Sequence, residues 1–250
     1  MHRFYISPQI WNRGALSLMG SEAHHARDVL RMRAGEKLVL FNGRGREITA
    51  EIVDLGGDEI RLRKLHEAET PPLQCRIVLG QAIPKGKNMD LIVQKAVEIG
   101  AAEIAPIISD RTIVRIDSES AAQKQTKWQQ IAVEAAKQCG QNWIPHVHAA
   151  RTLSELFSVA AEGSFDLQLI GSLQPGAQHL KQVLADYSSE RQHRPRSVLM
   201  LVGPEGDFTP AELALAHRHG CQPITLGPII LRVETAAIYC LSILSHELLI

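Results

Sequence analysis

The chain has 250 residues, of which 45% are hydrophobic and 22% charged, and this composition is typical of a globular protein rather than a disordered one. Its 27 basic and 27 acidic residues cancel, so strong indiscriminate binding to nucleic acid is not expected. The opening residues lack the apolar stretch of a signal peptide, and the longest uncharged apolar stretch is about half of what spans a bilayer, so we expect no membrane protein.

Cysteine and histidine spacing argues against a metal site. The four cysteines are widely spaced and form no C-x-x-C motif, which favours reduced thiols in a cytoplasmic protein over disulfides or zinc ligands. Histidines pair at 24–25, 146/148 and 217/219, but no cysteine or carboxylate set lies beside them at ligand spacing. We therefore predict no bound metal.

The first 70 residues have the pattern of a small β-rich module. Apolar and polar residues alternate in three stretches, separated by glycine-containing turns at 42–45 and 55–58, which predicts strands at 37–41, 47–53 and 59–65. A short helix is expected between Ser21 and Arg33. The segment 67–72 is polar and then proline-rich, which suits a domain boundary.

Charge is unevenly distributed over this module. Residues 1–46 contain eight basic and three acidic residues, whereas residues 47–70 contain three basic and seven acidic residues. The basic stretch is either a local phosphate-binding patch or a solvated face.

From Cys75 onward, apolar runs alternate with segments of helical periodicity, which indicates a mostly parallel sheet covered on both faces. We predict helices at 89–99, capped by Asn88 and ended by Gly100, and at 121–139, ended by Gly140. The predicted strands are 76–83, 103–108, 166–170, 197–202 and 222–226.

The segment Gly80–Asn88 is a near miss for a phosphate-binding P-loop. Five residues rather than four separate its two glycines, and Asn88 replaces the Ser or Thr that would hold magnesium. Nucleotide hydrolysis at this segment is therefore weakly supported. We interpret Lys85 and Lys87 as solvated side chains or as contacts to RNA phosphate. No G-x-G-x-x-G motif follows a strand, so ordinary dinucleotide binding is poorly supported.

Two glycine–proline segments follow predicted strands near the carboxyl terminus. In Gly203-Pro-Glu-Gly206, the missing Cβ atoms permit close approach to the backbone, and Thr209, Pro210 and Glu212 then supply helix-capping signals. In Gly227-Pro-Ile-Ile-Leu-Arg-Val-Glu-Thr235, an arginine arrives just before an apolar helix predicted at 236–249. That helix is apolar on nearly every side, so we expect it to be covered by its own domain and by a partner subunit.

The segments Leu201-Val-Gly-Pro-Glu-Gly-Asp-Phe-Thr-Pro-Ala-Glu212 and Leu226-Gly-Pro-Ile-Ile-Leu-Arg-Val-Glu-Thr-Ala-Ala237 resemble the two signature motifs of the 16S ribosomal RNA uridine-N3 methyltransferases, a family of the SPOUT superfamily. The amino-terminal His24-His-Ala-Arg-Asp-Val-Leu-Arg31 resembles the family's PUA-like RNA-binding module. Two departures stand out, because the family commonly has glycine where this chain has Asp207 and arginine where it has Ile229.

The resemblance implies an α/β fold: a SPOUT methyltransferase domain at 73–250, with a parallel sheet and a deep carboxy-terminal trefoil knot, after a small PUA-like β-barrel at 1–72. It implies a cytoplasmic homodimer, formed through the knotted domain, that acts on 16S ribosomal RNA of the small ribosomal subunit. Its expected cofactor is S-adenosyl-L-methionine, held by three loops. Carried over by position, the cofactor-binding residues are Gly171, Ser172, Leu173, Val202, Gly203, Gly206, Leu226, Gly227, Leu231 and Thr235.

The expected chemistry places Arg232 beside the uracil oxygens, with Glu205 or Glu234 accepting the N3 proton or orienting Arg232. The alternative is that Arg232 and Glu234 pair only to brace the knot. The expected RNA contacts are His24, Arg27, Arg31, Arg33, Lys85 and Lys87. Rival functions are a ribose 2′-O-methyltransferase, a methylase of another RNA, and a non-enzymatic RNA-binding assembly factor with a relict cofactor pocket.

Overall fold

The computed structural model describes residues 1–11, 16–57, 59–112, 118–159 and 164–249, arranged in two compact units. The first unit contains Met1–Pro72 together with Val133–Ile144, and the second contains Leu73–Ala132 and Pro145–Ile250. The sequence predicted a single division after residue 72, with Val133–Ile144 in the second domain. The structure instead places this segment in the first unit. Asp58, at the end of a predicted turn, lies outside the described residues.

The first unit is built on a sheet in the order β1-β3-β4-β5-β2, in which β3, β4 and β5 form the antiparallel meander expected from their alternating patterns. Alternate residues such as Leu38, Leu40, Ile48 and Ile52 point into its core. The strands are β1 (His2–Tyr5), β2 (Ser17–Met19), β3 (Lys37–Phe41), β4 (Arg46–Asp54) and β5 (Glu59–Glu69), with the short helix α1 (Pro8–Trp11) after β1.

The helix predicted between residues 21 and 33 is shorter than expected. Helix α2 (Gly20–His24) passes into a π-helical turn, His25–Val29, and Arg31 has a left-handed backbone with φ of 54°. Ala23 and Ala26 are buried, so small residues face the sheet.

The segment Val133–Ile144 is tied to the first unit by side chains that are remote in sequence. The buried Asn142 donates to Glu47 Oε2 at 3.0 Å and to Thr70 Oγ1 at 2.9 Å. Lys137 pairs with Glu22 at 3.0 Å. No local pattern predicts such pairings, because each joins residues more than 70 positions apart.

The second unit contains a parallel sheet in the order β11-β13-β10-β12-β6-β7-β8, with β9 paired to β7. The parallel order and buried strands confirm the predicted α/β architecture, and the predicted strand bounds hold for β7 and β12. The strands are β6 (Arg76–Ala82), β7 (Glu103–Ile108), β8 (His146–Val147), β9 (Arg151–Thr152), β10 (Leu167–Gly171), β11 (Gln178–His179), β12 (Ser197–Val202) and β13 (Gln222–Thr225).

The helices are α3 (Asn88–Ile99), α4 (Ser118–Cys139), α5 (Leu153–Val159), α6 (Leu180–Arg191), α7 (Pro210–Arg218) and α8 (Val233–Leu248). Gly100, with φ of 98°, ends α3 as predicted, because a left-handed backbone at this point favours glycine. The predicted cap at Asn88 is wrong, because Asn88 is the first helical residue and the N-cap position is Lys87. None of these helices, within the described ranges, is long and apolar enough to cross a membrane.

Gly80 shows why the P-loop reading fails. It lies inside strand β6 rather than in a loop, and a Cβ atom added there would collide with the Leu201 side chain on β12. Its role is therefore close packing between two central strands.

An ion-paired cluster joins the amino ends of β6 and β7. Glu103 accepts from Arg76 Nε at 2.6 Å and is bonded to His148 Nε2 at 2.7 Å. These contacts, with His148 contributing most, lower the pKa of the Glu103 carboxyl to about 2. Because the folded-state pKa is depressed, the stabilisation is present above the unfolded pKa and is lost as pH falls towards 2.

Between pH 5 and pH 3, we expect the free energy of unfolding of Glu103→Gln to fall by about 1–2 kcal/mol less than that of the wild type. Glutamine has no carboxyl group to protonate, so this coupling between protonation and unfolding is absent in the variant. Urea unfolding at the two pH values measures the difference, and equal slopes would contradict the assignment.

Candidate cofactor site

A cavity of about 370 Å³ lies at the carboxyl ends of strands β10, β12 and β13. Parallel sheets commonly bind ligands at this edge, and the volume is within the range of roughly 300–1,000 Å³ usual for small-molecule sites. The lining residues are Gly171, Ser172, Leu173, Val202, Gly203, Pro204, Glu205, Gly206, Asp207, Thr225, Leu226, Gly227, Ile229, Ile230, Leu231, Arg232, Val233, Ala236 and Cys240. The fold thus brings together three loops separated by up to about 60 residues of sequence.

All the residues predicted to bind the cofactor, except Thr235, line this cavity. Two of the three candidate catalytic residues, Arg232 and Glu205, also line it. Their roles stay predictions, but the geometry places them around one space.

Glu234 and Thr235 are not among the lining residues, although Val233 and Ala236 of the same helix are. Helix α8 begins at Val233 rather than at the predicted Ala236. Both residues therefore lie in the first helical turn. The Glu234 carboxylate accepts a hydrogen bond from Asn88 Nδ2 at 3.2 Å. The alternative in which Arg232 and Glu234 brace the knot requires a bond between these two side chains. Among the described residues, no hydrogen bond or ion pair joins them.

Arg232 occupies the N-cap position of α8 with an exposed side chain. Its guanidinium makes no hydrogen bond or ion pair with the part of the chain that the structure describes, while its carbonyl accepts from Ala236 N at 2.8 Å. The backbone is fixed and the charged group is left available. Glu205 is held differently, because its Oε1 accepts from the backbone N–H of Lys85 at 3.1 Å.

Glycines leave bare backbone around the cavity. Gly227 has φ of 112°, and a Cβ atom added there would meet nothing within 4 Å. Gly203 is different: an added Cβ would lie 3.2 Å from both the backbone nitrogen and the Cδ2 atom of Phe208. Its missing side chain therefore lets the loop fold back on itself, and Phe208 is the group that makes the close approach expected from the sequence.

The loop from 203 to 209 is anchored by a buried carboxylate that the sequence identified only as a helix cap. The capping box of Thr209 and Glu212 is confirmed, with Glu212 Oε2 accepting from Thr209 N at 2.8 Å. Glu212 also accepts from Ser109 Oγ and from Asp110 N, each at 3.1 Å. The cap thus doubles as a tie to the loop after β7.

We expect Glu212→Ala to lower the free energy of unfolding by about 2–3 kcal/mol, because several buried donors lose their acceptor together. Thermal and urea unfolding measure the change. Glu190→Ala, an exposed carboxylate on α6, is the control and should stay within about 0.5 kcal/mol of the wild type. Equal effects of the two substitutions would contradict the proposed tie.

Two further supporting residues were missed or incompletely read from the sequence. Arg111 donates from Nη1 to the carbonyl of Gly206 and, at 3.4 Å, to that of Asp207. Asp207 accepts from Leu173 N at 3.0 Å and from Phe208 N at 2.8 Å. Ile229, the other departure from the family pattern, lines the cavity and is largely exposed.

Among the described residues, Cys240 is the cysteine that lines the cavity, and its burial disfavours the nucleophilic thiolate. Burial raises the pKa of the Cys240 thiol to about 12, so the thiolate is not formed at neutral pH. Within the described ranges, no group of three or more His, Cys, Asp or Glu is placed to hold a metal ion.

The predicted RNA contacts fall in both units. In the first unit, His24 contacts Asp28 at 2.7 Å, and Arg27 bonds to Asp28 and to the carbonyl of Gly57, so the charge of Arg27 is partly compensated. Arg31 and Arg33 are exposed. In the second unit, Lys85 and Lys87 are exposed, and Lys85 adjoins the cavity through Glu205.

Comparison with known proteins gives two family matches. Residues 71–245 match the RNA methyltransferase domain model, and residues 18–65 match the RNA methyltransferase PUA domain model. The ribosomal RNA small subunit methyltransferase E of Bacillus subtilis is 29% identical, over 99% of this chain and 97% of its own length.

Two solved structures extend the likeness to the fold. The ribosomal RNA small subunit methyltransferase E of Neisseria gonorrhoeae, bound to S-adenosyl methionine, is 32% identical with a TM-score of 0.84, covering 99% of this chain and 98% of that one. A Legionella pneumophila protein in complex with the bound cofactor SAM is 35% identical with a TM-score of 0.84, covering 98% and 97%. The chain therefore belongs to the RNA methyltransferase family that includes ribosomal RNA small subunit methyltransferase E, the family predicted from its two glycine–proline motifs.

Proposed function

We propose that this protein transfers a methyl group from S-adenosylmethionine to N3 of a uridine in 16S ribosomal RNA of the small ribosomal subunit. The observation that carries the proposal is the cavity at the strand ends, because one space is lined by both signature motifs, by Arg232 and by Glu205. Relatives of similar length carry the name ribosomal RNA small subunit methyltransferase E, and one of them is solved with this cofactor.

The residues present fit the cofactor. Gly227 leaves main chain uncovered by side chains, and Leu226, Leu231 and Val202 supply apolar walls for an adenine ring. When bound, S-adenosylmethionine supplies a methyl group that its sulfonium already activates. The protein's own task is then to align the acceptor and manage its proton and charge.

Uracil N3 lies on the Watson–Crick edge, so the target base must be unpaired, and its proton must leave before or during attack. Arg232, whose guanidinium is free of described partners, stabilises the negative charge that develops on the uracil oxygens. The Glu205 carboxylate is the better-placed base to accept the proton, since Glu234 contacts Asn88 and does not line the cavity. The exposed Arg31, Arg33, Lys85 and Lys87 contact RNA phosphates.

The proposal includes a carboxy-terminal trefoil knot, a homodimer formed through the second unit, and a cytoplasmic location. Four apolar side chains are exposed in the single chain: Leu173, Ile229, Ile230 and Tyr239. Burying them against a second subunit would stabilise a dimer. Sedimentation equilibrium is the test, and a monomer at micromolar concentration would contradict this part.

The function itself is tested by methylation of small ribosomal subunits from a strain that lacks this activity, followed by mass spectrometry of the nucleosides. We expect 3-methyluridine to appear in 16S RNA. Ribose 2′-O-methylation, or modification of another RNA, would replace the proposal with a rival methylase. Absence of both cofactor binding and methylation would favour a non-enzymatic RNA-binding assembly factor with a relict cofactor pocket, whereas retained binding of S-adenosylmethionine at micromolar concentration argues against that rival.

A further inference from the structure

A single side chain bridges two of the loops that wall the cofactor cavity. One loop follows β10 and contains Leu173, and the other follows β12 and contains Asp207. The Asp207 carboxylate accepts from Leu173 N at 3.0 Å through Oδ2 and from Phe208 N at 2.8 Å through Oδ1. Oδ1 thus accepts a hydrogen bond from its own loop, and Oδ2 accepts one from the neighbouring loop.

The backbone of Asp207 is held in an unfavourable conformation. Its φ of 71° lies in the left-handed region, which is less favourable for a residue with a Cβ atom than for glycine. The turn is otherwise closed by Asp207 N donating to Pro204 O at 3.1 Å, and Arg111 holds its outer carbonyls. Glycine would relieve the strain without losing those backbone contacts, so the carboxylate must compensate through the bonds that it makes.

We propose that Asp207 is a positioning residue that holds the Leu173 loop against the Phe208 loop in the arrangement that receives the methyl donor. The inference rests on the proposed function and adds to it. Preorganised loops reduce the ordering cost of binding, because the walls of the cavity are already in place before the ligand arrives. Both oxygens of the Asp207 carboxylate act as acceptors, so one side chain can hold the backbone of both loops at once.

The same strand pair offers a matched control at its other end. The Asp166 carboxylate accepts from Arg196 N at 2.8 Å and from Ser197 N at 3.0 Å, where β10 and β12 begin. Asp166 is not among the residues that line the cavity. Asp166 and Asp207 therefore both accept hydrogen bonds from backbone N–H groups, at opposite ends of the same two strands. Only Asp207 adjoins the loops that line the cavity.

The experiment compares the wild type with Asp207→Gly, Asp207→Asn and Asp166→Ala. Isothermal calorimetry measures the dissociation constant for S-adenosylmethionine, thermal unfolding measures stability without ligand, and hydrogen exchange follows the Leu173 amide in the free protein. We expect Asp207→Gly to weaken cofactor binding roughly 10-fold without lowering the unfolding midpoint, because lost bonds are offset by relieved strain. Asp207→Asn should weaken binding by a smaller factor, because one amide oxygen replaces two acceptors.

Leu173 amide exchange should be at least about 10-fold faster in Asp207→Gly, whereas Asp166→Ala should lower the unfolding midpoint and leave cofactor affinity unchanged. Unchanged affinity and exchange in Asp207→Gly would overturn the inference. Loss of affinity only in step with a lower unfolding midpoint would also overturn it, in favour of a purely structural role. If the wild type itself binds no S-adenosylmethionine, the proposed function fails, while the exchange result still decides whether Asp207 orders the loop.

Discussion

Replacing Arg232 by alanine is expected to lower the turnover number by about 100- to 1,000-fold while changing the dissociation constant for S-adenosylmethionine by less than about threefold. Arg232 lines the cavity from the N-cap of α8, and its guanidinium has no partner among the described residues. A charge held there in advance stabilises the acceptor base only as negative charge develops on it. The effect therefore appears in turnover rather than in cofactor binding.

Single-turnover methylation of small subunits, paired with calorimetry for the cofactor, measures the two quantities separately. Glu234→Gln is the matched control, because that carboxylate contacts Asn88 and does not line the cavity, and its turnover should stay within about threefold of the wild type. Wild-type turnover in Arg232→Ala would refute the catalytic role. If both variants lose stability and activity together, the bracing alternative is correct.

Gly203→Val is expected to weaken S-adenosylmethionine binding by at least about 100-fold in a protein that still folds. A Cβ atom at this position would lie 3.2 Å from Phe208 N and 3.4 Å from the carbonyl carbon of Asp207, and valine adds two methyl groups beyond it. Backbone atoms cannot move aside as a flexible side chain does. The loop that forms one wall of the cavity must therefore shift.

Gly171→Ala separates this steric effect from the mere loss of a glycine near the cofactor. Its added Cβ would make ordinary contacts, 3.6 Å to Leu201 O and 3.8 Å to Met200 Cε, so affinity should change by less than about threefold. Calorimetry after circular dichroism has shown a native fold measures both variants. Unchanged affinity in a folded Gly203→Val protein would show that the 203–208 loop does not form the cofactor site.

Local patterns predicted most elements of the fold. The alternating stretches became β3, β4 and β5, the apolar runs became the parallel strands, and the capping box of Thr209 and Glu212 opened α7 as expected. The start of α8 was placed three residues late, because Arg232, Glu234 and Thr235 suggested a loop with functional side chains. Polar residues are also common in the first turn of a helix, so the polar pattern did not distinguish a loop from the start of α8.

The candidate site was predictable from the glycine–proline motifs, but the contacts that support it were not. Glu212 reaches Ser109, Asp207 reaches Leu173 and Arg111 reaches Gly206, and each pair is separated by at least 34 residues. Periodicity reports which face of an element is buried, and it carries no information about which remote polar groups meet. The same limit applies to Asn142 and its partners in the first unit.

The most direct test of where the methyl donor binds is a crystal structure of this protein grown with S-adenosylmethionine. We predict continuous density for the cofactor in the cavity bounded by Gly171, Gly203 and Gly227, with the Arg232 guanidinium on the open side of the donor methyl group. Density for the cofactor elsewhere on the protein, with this cavity filled by side chains, would contradict the account.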